Sequence, residues 1–154
     1  MLPVLLALLV QSSIISGSLI SPQGSAAPEP AQVVLLPPDY ALMFNADAQR
    51  RIDRYWEVYK SEFAEHKETF TQALALAYRE ALDAVLSRIR SDGKVDSGNL
   101  IRTATAGRFE FRGVPPGDYR IVATGSIQSI TYVWTESLHV TPAPIFIQMK
   151  TRVP

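Results

Sequence analysis

Residues 107–124 read GRFEFRGVPPGDYRIVAT, and the fold class is decided there. Two runs of alternating apolar and polar residues flank a loop holding two glycines and two prolines, the pattern of two short strands joined by a tight connection. Phe109 and Phe111 share one face of the first strand, and Tyr119, Ile121 and Ala123 share one face of the second. Gly113 and Gly117 can take positive φ, while Pro115 and Pro116 hold φ at about −65° and donate no amide hydrogen. The spacing predicts an antiparallel hairpin whose ladder stops at Val114 and resumes near Tyr119. Nothing in the stretch performs chemistry, so it speaks for architecture.

The pattern G-x-F-x-F-x-G-V-P-P-G-x-Y-x-I-x-A, running from Gly107 to Ala123, resembles the central hairpin of the carboxypeptidase regulatory-like domains, in the transthyretin-like (prealbumin-like) group of β-sandwiches. The resemblance is sharp over residues 107–124, diffuse from Ile127 to Met149, and covers about a third of the chain. It implies an antiparallel sandwich. Members of that family begin with a short strand ending in a glycine-rich turn, to which no segment is assigned here. Ala31 to Leu36 fits the strand A-x-V-x-L that follows, and Ile101 to Ala106 fits the next one, after some sixty intervening residues.

The chain has 154 residues, 47% of them hydrophobic, which suits one domain with a sizeable core. There is no cysteine, which excludes disulfides and thiolate metal sites. Fifteen basic and fifteen acidic side chains cancel, so no strong field favours nucleic acid or an anionic membrane.

Leu2 to Ile20 is mostly apolar and uncharged, and Ser25 and Ala27 are spaced as a leader peptidase needs. Residues 1–27 therefore read as a signal peptide cut near Ala27, although no Lys or Arg precedes the apolar run. An uncleaved membrane anchor is the rival reading, and it would be the only membrane contact. Gln11, Ser12, Ser13, Ser16 and Gly17 dilute the run below the ~20 apolar residues of a spanning helix. Residues 28–31 read as a stiff linker and 32–154 as a single domain.

Between Ala46 and Arg90 there is neither glycine nor proline, and the composition favours helix. Asn45 is the expected N-cap, and Gly93 follows Arg88 and Arg90 at the far end. Ile52, Tyr55, Trp56, Tyr59, Phe63, Phe70, Leu74, Leu82, Val85, Leu86 and Ile89 recur at helical spacing. One helix of this length would reach roughly 66 Å, too long for a domain of this size, so a break is expected at His66 to Thr69. There Thr69 and Gln72 form a capping-box pattern. Eight acidic and eight basic residues balance over 46–90, with Asp47–Arg51 and Arg79–Asp83 expected as surface pairs.

Ile130, Tyr132 and Trp134 share one strand face, Val133 stands on the other between two threonines, and both faces of Ile145 to Ile147 are apolar. A sheet wet on one side alternates more cleanly than this, so something must cover the second face. The insertion is the available cover. The prediction is an α+β fold in which two helices from the insertion lie on one face of a transthyretin-like sandwich.

The search for chemistry is short. Glu62 and His66 share a helix face without the further ligands a metal needs, and His139 stands near a strand end. No serine elbow, cysteine nucleophile or phosphate loop is present, so no catalytic residue, metal or cofactor is assigned. Tyr132 and Trp134 are candidate ligand-binding aromatics, against the simpler reading of a core tryptophan. Arg102, Arg108, Arg112 and Arg120 read as outward residues that keep strands soluble.

These readings converge on a non-enzymatic, secreted or periplasmic binding or structural module, partnered by a protein or glycan of the cell envelope. Two alternatives stay open: a carbohydrate-binding module using Tyr132 and Trp134, and an assembly protein dimerising through the helical insertion.

Overall fold

The computed structural model describes residues 12–27, 30–93 and 96–151. The described strands are β1 (Ser13–Ile20), β2 (Ala31–Leu36), β3 (Ile101–Ala104), β4 (Arg108–Val114), β5 (Gly117–Ile127), β6 (Ile130–Val140) and β7 (Ile145–Lys150). They form a three-stranded sheet in the order β4-β1-β7 and a four-stranded sheet in the order β3-β2-β5-β6. All pairs are antiparallel except β1 with β7. Between the sheets lie Ile15, Leu19, Phe109, Phe111 and Met149 from one side and Val33, Leu35, Ile121, Ala123 and Trp134 from the other.

The stretch that decides the fold does form two strands, but they do not pair with each other. β4 pairs with β1, whereas β5 pairs with β2 and β6. The expected hairpin is an arch that crosses from one sheet to the other. Pro115 and Pro116 bring no amide hydrogen to a ladder, and the apolar faces of both strands point into one core, Phe109 and Phe111 opposite Tyr119 and Ile121. Alternation of this kind is satisfied equally by a hairpin with one buried face and by an arch.

A second difference lies at the N-terminal end. Residues 13–20, expected within a leader removed near Ala27, are the middle strand of the smaller sheet, and Ile15 and Leu19 are fully buried. A cut near Ala27 would remove that strand from the smaller sheet. Met1 to Gln11, like Pro28 and Glu29 of the expected linker, lie outside the described residues. β1 ends in a turn where the Ser21 amide donates to the Ser25 carbonyl at 2.7 Å and Gly24 has φ 87°.

The insertion forms two helices, α1 (Pro38–Tyr59) and α2 (Lys67–Asp92), joined through a 3-10 turn at Lys60–Glu62. The break falls slightly before the expected position, and His66 rather than Thr69 stands at the N-cap position of α2. α1 starts seven residues before Asn45, because a proline is tolerated at the first helical position and Asp39 follows in the first turn. Gly93 ends α2 at φ 60° with its amide donating to the Ile89 carbonyl. Among the described residues no helix is long and apolar enough to cross a membrane.

Both helices lie on the outer face of the four-stranded sheet. Val34, Leu36, Val122 and Val133 from the strands meet Phe44, Leu82, Val85, Leu86 and Ile89 from the helices in a second core. The larger sheet is therefore buried on both faces, as its lack of clean alternation requires. Phe44 and Ile89 are fully buried there. Phe44→Ala is expected to cost about 3–5 kcal/mol, read as a lower denaturation midpoint with the far-UV spectrum retained.

Within the sandwich, Gly17 sits mid-strand on β1 beneath the ring of Phe109, where a Cβ would overlap the ring. Gly17→Val is expected to destabilise by about 1–3 kcal/mol through overpacking, and Gly17→Ala by less, measured by urea titration.

Candidate functional site

Of the two aromatics singled out in the sequence, Trp134 lies in the sandwich core at 1% exposure and its indole N–H donates to the Ile20 carbonyl at 2.8 Å. It offers no ring face to a ligand, which removes it as a sugar platform. Tyr132 is half-buried, tilted against Trp134 at 6.3 Å between ring centroids. The arch residues are likewise structural: Phe109, Phe111 and Tyr119 are buried, and burial pushes the Tyr119 hydroxyl pKa up.

Other flagged groups are engaged in holding elements together. His66 Nε2 is 3.2 Å from Glu62, and His139 Nδ1 is 2.7 Å from Asp118, its cross-strand neighbour. Tyr40 donates to Asp92 at 2.8 Å, tying the start of α1 to the end of α2. That hydrogen bond, with burial adding to it, raises the tyrosine pKa. Arg51 bridges Asp47 at 3.0 Å and Glu80 at 2.9 Å, clasping the two helices. Burial pushes the Asp47 carboxyl up, but hydrogen bonds from Arg51 and Arg50 outweigh it and the net pKa is lowered. A depressed carboxylate contributes stability above its unfolded pKa and loses it as acid carries the pH down through the folded value.

The strand arginines divide. Arg120 donates to Thr135 at 2.7 Å and Ser137 at 2.8 Å, and Arg102 stands over the Phe111 ring at 5.4 Å. Arg108 and Arg112 are exposed on β4, Arg112 beside Glu110. Among the described residues no group of three or more His, Cys, Asp or Glu is placed to hold a metal ion.

A different place gathers groups that have no such task. At the far end of the arm Trp56, Phe63 and Phe70 pack edge to face at 5.4–5.5 Å, and Tyr59 joins Phe70 at 6.3 Å. Beside this cluster a cleft of about 460 Å³ opens between the arm and the tip of the β5–β6 hairpin. Tyr55 and Tyr59 of α1, Leu76 and Arg79 of α2, and Ile130 and Thr131 of the hairpin line it. The hairpin turns through Gln128 at φ 50° and Ser129 at φ 67°, a left-handed conformation unusual for residues with side chains. Leu76 and Ile130 are 41% and 46% exposed.

Arg79 was expected to pair with Asp83, yet the ion pairs of the described residues do not include it. It lines the cleft instead. The sequence could not identify this site, since helical spacing alone does not say where the arginine side chain goes, or that a turn at Gln128 and Ser129, about seventy residues beyond Tyr59, comes to face α1.

No protein-family model matches the chain, and no curated protein matches it. Among solved structures it is similar to BcpA, the major pilin subunit of Bacillus cereus, at 10% identity and TM-score 0.44 over 94% of this chain and 31% of that one. It is also similar to the full-length major pilin RrgB from Streptococcus pneumoniae, at 11% identity and TM-score 0.32 over 91% and 30% of the two chains. A further structure of the RrgB pilus backbone from the same organism gives 13% identity and TM-score 0.36 over 90% and 41%. The chain spans less than half the length of these proteins.

Trp134→Ala is expected to lower stability by about 3–5 kcal/mol, seen in thermal unfolding, rather than to remove a binding activity from an otherwise unchanged fold.

Proposed function

We propose that the chain is an exported, non-enzymatic sandwich module of the carboxypeptidase regulatory-like type, a structural support that presents a binding cleft at the end of its helical arm. The observation that carries this reading is a division of labour among polar side chains. Inside the fold they hold one element to another, as Trp134, Tyr40 and Arg51 do. At the cleft, Tyr55, Arg79 and Thr131 line one surface and have no side-chain hydrogen-bond partner among the described residues. The partner expected there is a glycan or protein of the cell envelope.

The bundle-forming alternative has only the outer half of the arm to draw on, where Trp56, Val58 and Leu76 are exposed, because Leu82, Val85, Leu86 and Ile89 of the stripe are buried on the chain's own sheet. Export is proposed on the apolar run that starts at Leu2, and the mature module on this reading keeps Ser13. The Ser13 hydroxyl donates to the Ala143 carbonyl at 2.6 Å and so pins the start of the strand. Expression of the chain in a bacterial host, with fractionation and intact-mass measurement, tests the reading. The exported product is expected to retain Ser13, whereas a mature chain beginning at Pro28, or an unprocessed chain confined to the cytoplasm, overturns it.

A further inference from the structure

We infer that the cleft between the arm and the β5–β6 hairpin binds a glycan carrying a carboxylate, with Arg79 taking the charge and the two tyrosines taking the sugar ring. The inference rests on the reading of the chain as a binding module and names what that module binds.

The cleft has the size of a small-ligand site, about 460 Å³. Its lining mixes the apolar Leu76 and Ile130 and the tyrosine rings with the polar Thr69, Gln72, Ser129 and Thr131. A purely apolar ligand would bury the Tyr55 and Tyr59 hydroxyls, which make no hydrogen bond among the described residues, and would desolvate them without return. A ligand with alternating C–H faces and hydroxyl edges satisfies both kinds of surface, and that is the chemistry of a sugar ring. Arg79 is the single charged side chain in the lining. A guanidinium with no carboxylate partner favours an anion of planar, two-oxygen geometry, hence a carboxylate on the sugar.

The hairpin turn fixes one wall of the cleft. Gln128 and Ser129 close the Ile127–Ile130 pair as a two-residue loop with positive φ at both positions, the usual geometry of a tight hairpin, and the turn brings Ser129, Ile130 and Thr131 to the cleft.

Isothermal titration calorimetry of the chain tests this with three probes: trigalacturonate, a muramic-acid-containing tetrasaccharide and neutral cellotriose. One or both acidic probes are expected to bind at least tenfold tighter than cellotriose, with an affinity that falls as salt rises, and the better acidic probe identifies the source of the carboxylate. Arg79→Gln is expected to lose at least tenfold toward the acidic probe and to lose the salt dependence, with Tm little changed because the exposed arginine makes no ion pair among the described residues. Tyr59→Phe keeps the ring against Phe70 and is expected to weaken binding several-fold. Equal affinity for cellotriose and the acidic probes, or full affinity in Arg79→Gln, overturns the carboxylate while leaving the module reading intact. Absence of heat with all three probes overturns the glycan assignment, and the export and processing result then decides the module reading separately.

Discussion

Apolar side chains on both faces of the larger sheet set the terms for this molecule. Val33, Leu35, Ile121 and Trp134 fill the space between the sheets, while Val34, Leu36, Val122 and Val133 on the opposite faces of the same strands have to be shielded from water. Each such side chain left in water would forfeit about 1.5–3 kcal/mol, a large share of the stability of a domain this small. The helical arm is the physical answer. Its placement follows from the chain path, since α1 leaves β2 with only Pro37 between them and must begin at the edge of the face that needs covering.

That requirement was legible in the sequence because it is a statement about periodicity. Val133 between two threonines and opposite a tryptophan is incompatible with one wet face, and the glycine-free run from Ala46 to Arg90 carries a helical stripe to match. Pairing was not legible in the same way. Alternation in GRFEFRGVPPGDYRIVAT states which side chains turn inward but not whether the two strands are neighbours, and Phe109 with Tyr119 lines one core from opposite sheets. The proline pair that was read as a pause in a ladder is the point where the chain leaves one sheet for the other.

β1 was missed for a related reason. An apolar run next to a serine-rich stretch satisfies the composition of a leader, and composition overrode the weak period of Ile15, Gly17 and Leu19. Gly17, which diluted the apolar signal, is explained by the packing: the middle strand of the smaller sheet needs a position without a side chain so that the Phe109 ring can cross it. A residue that weakens the sequence pattern is here required by a neighbour more than ninety positions away. The same limit applied to Arg79, whose surroundings are set by the hairpin tip and not by its own helix.

The cleft follows from lengths. β2 has 6 residues and spans about 20 Å, whereas α1 has 22 and runs about 33 Å. A helix laid along the sheet from the end of β2 therefore overhangs it. β5 and β6, with 11 residues each, extend about 36 Å toward the same end and overhang it too. Two overhanging elements with no strand between them must either close on each other or leave a gap. Here the Trp56, Phe63 and Phe70 cluster stiffens one side and the tight turn at Gln128 and Ser129 stiffens the other, so the gap stays open. The burial that fixes the arm to the sheet thus also fixes the width of the cleft at its end, and a substitution that loosens the second core would alter the cleft without touching any residue that lines it.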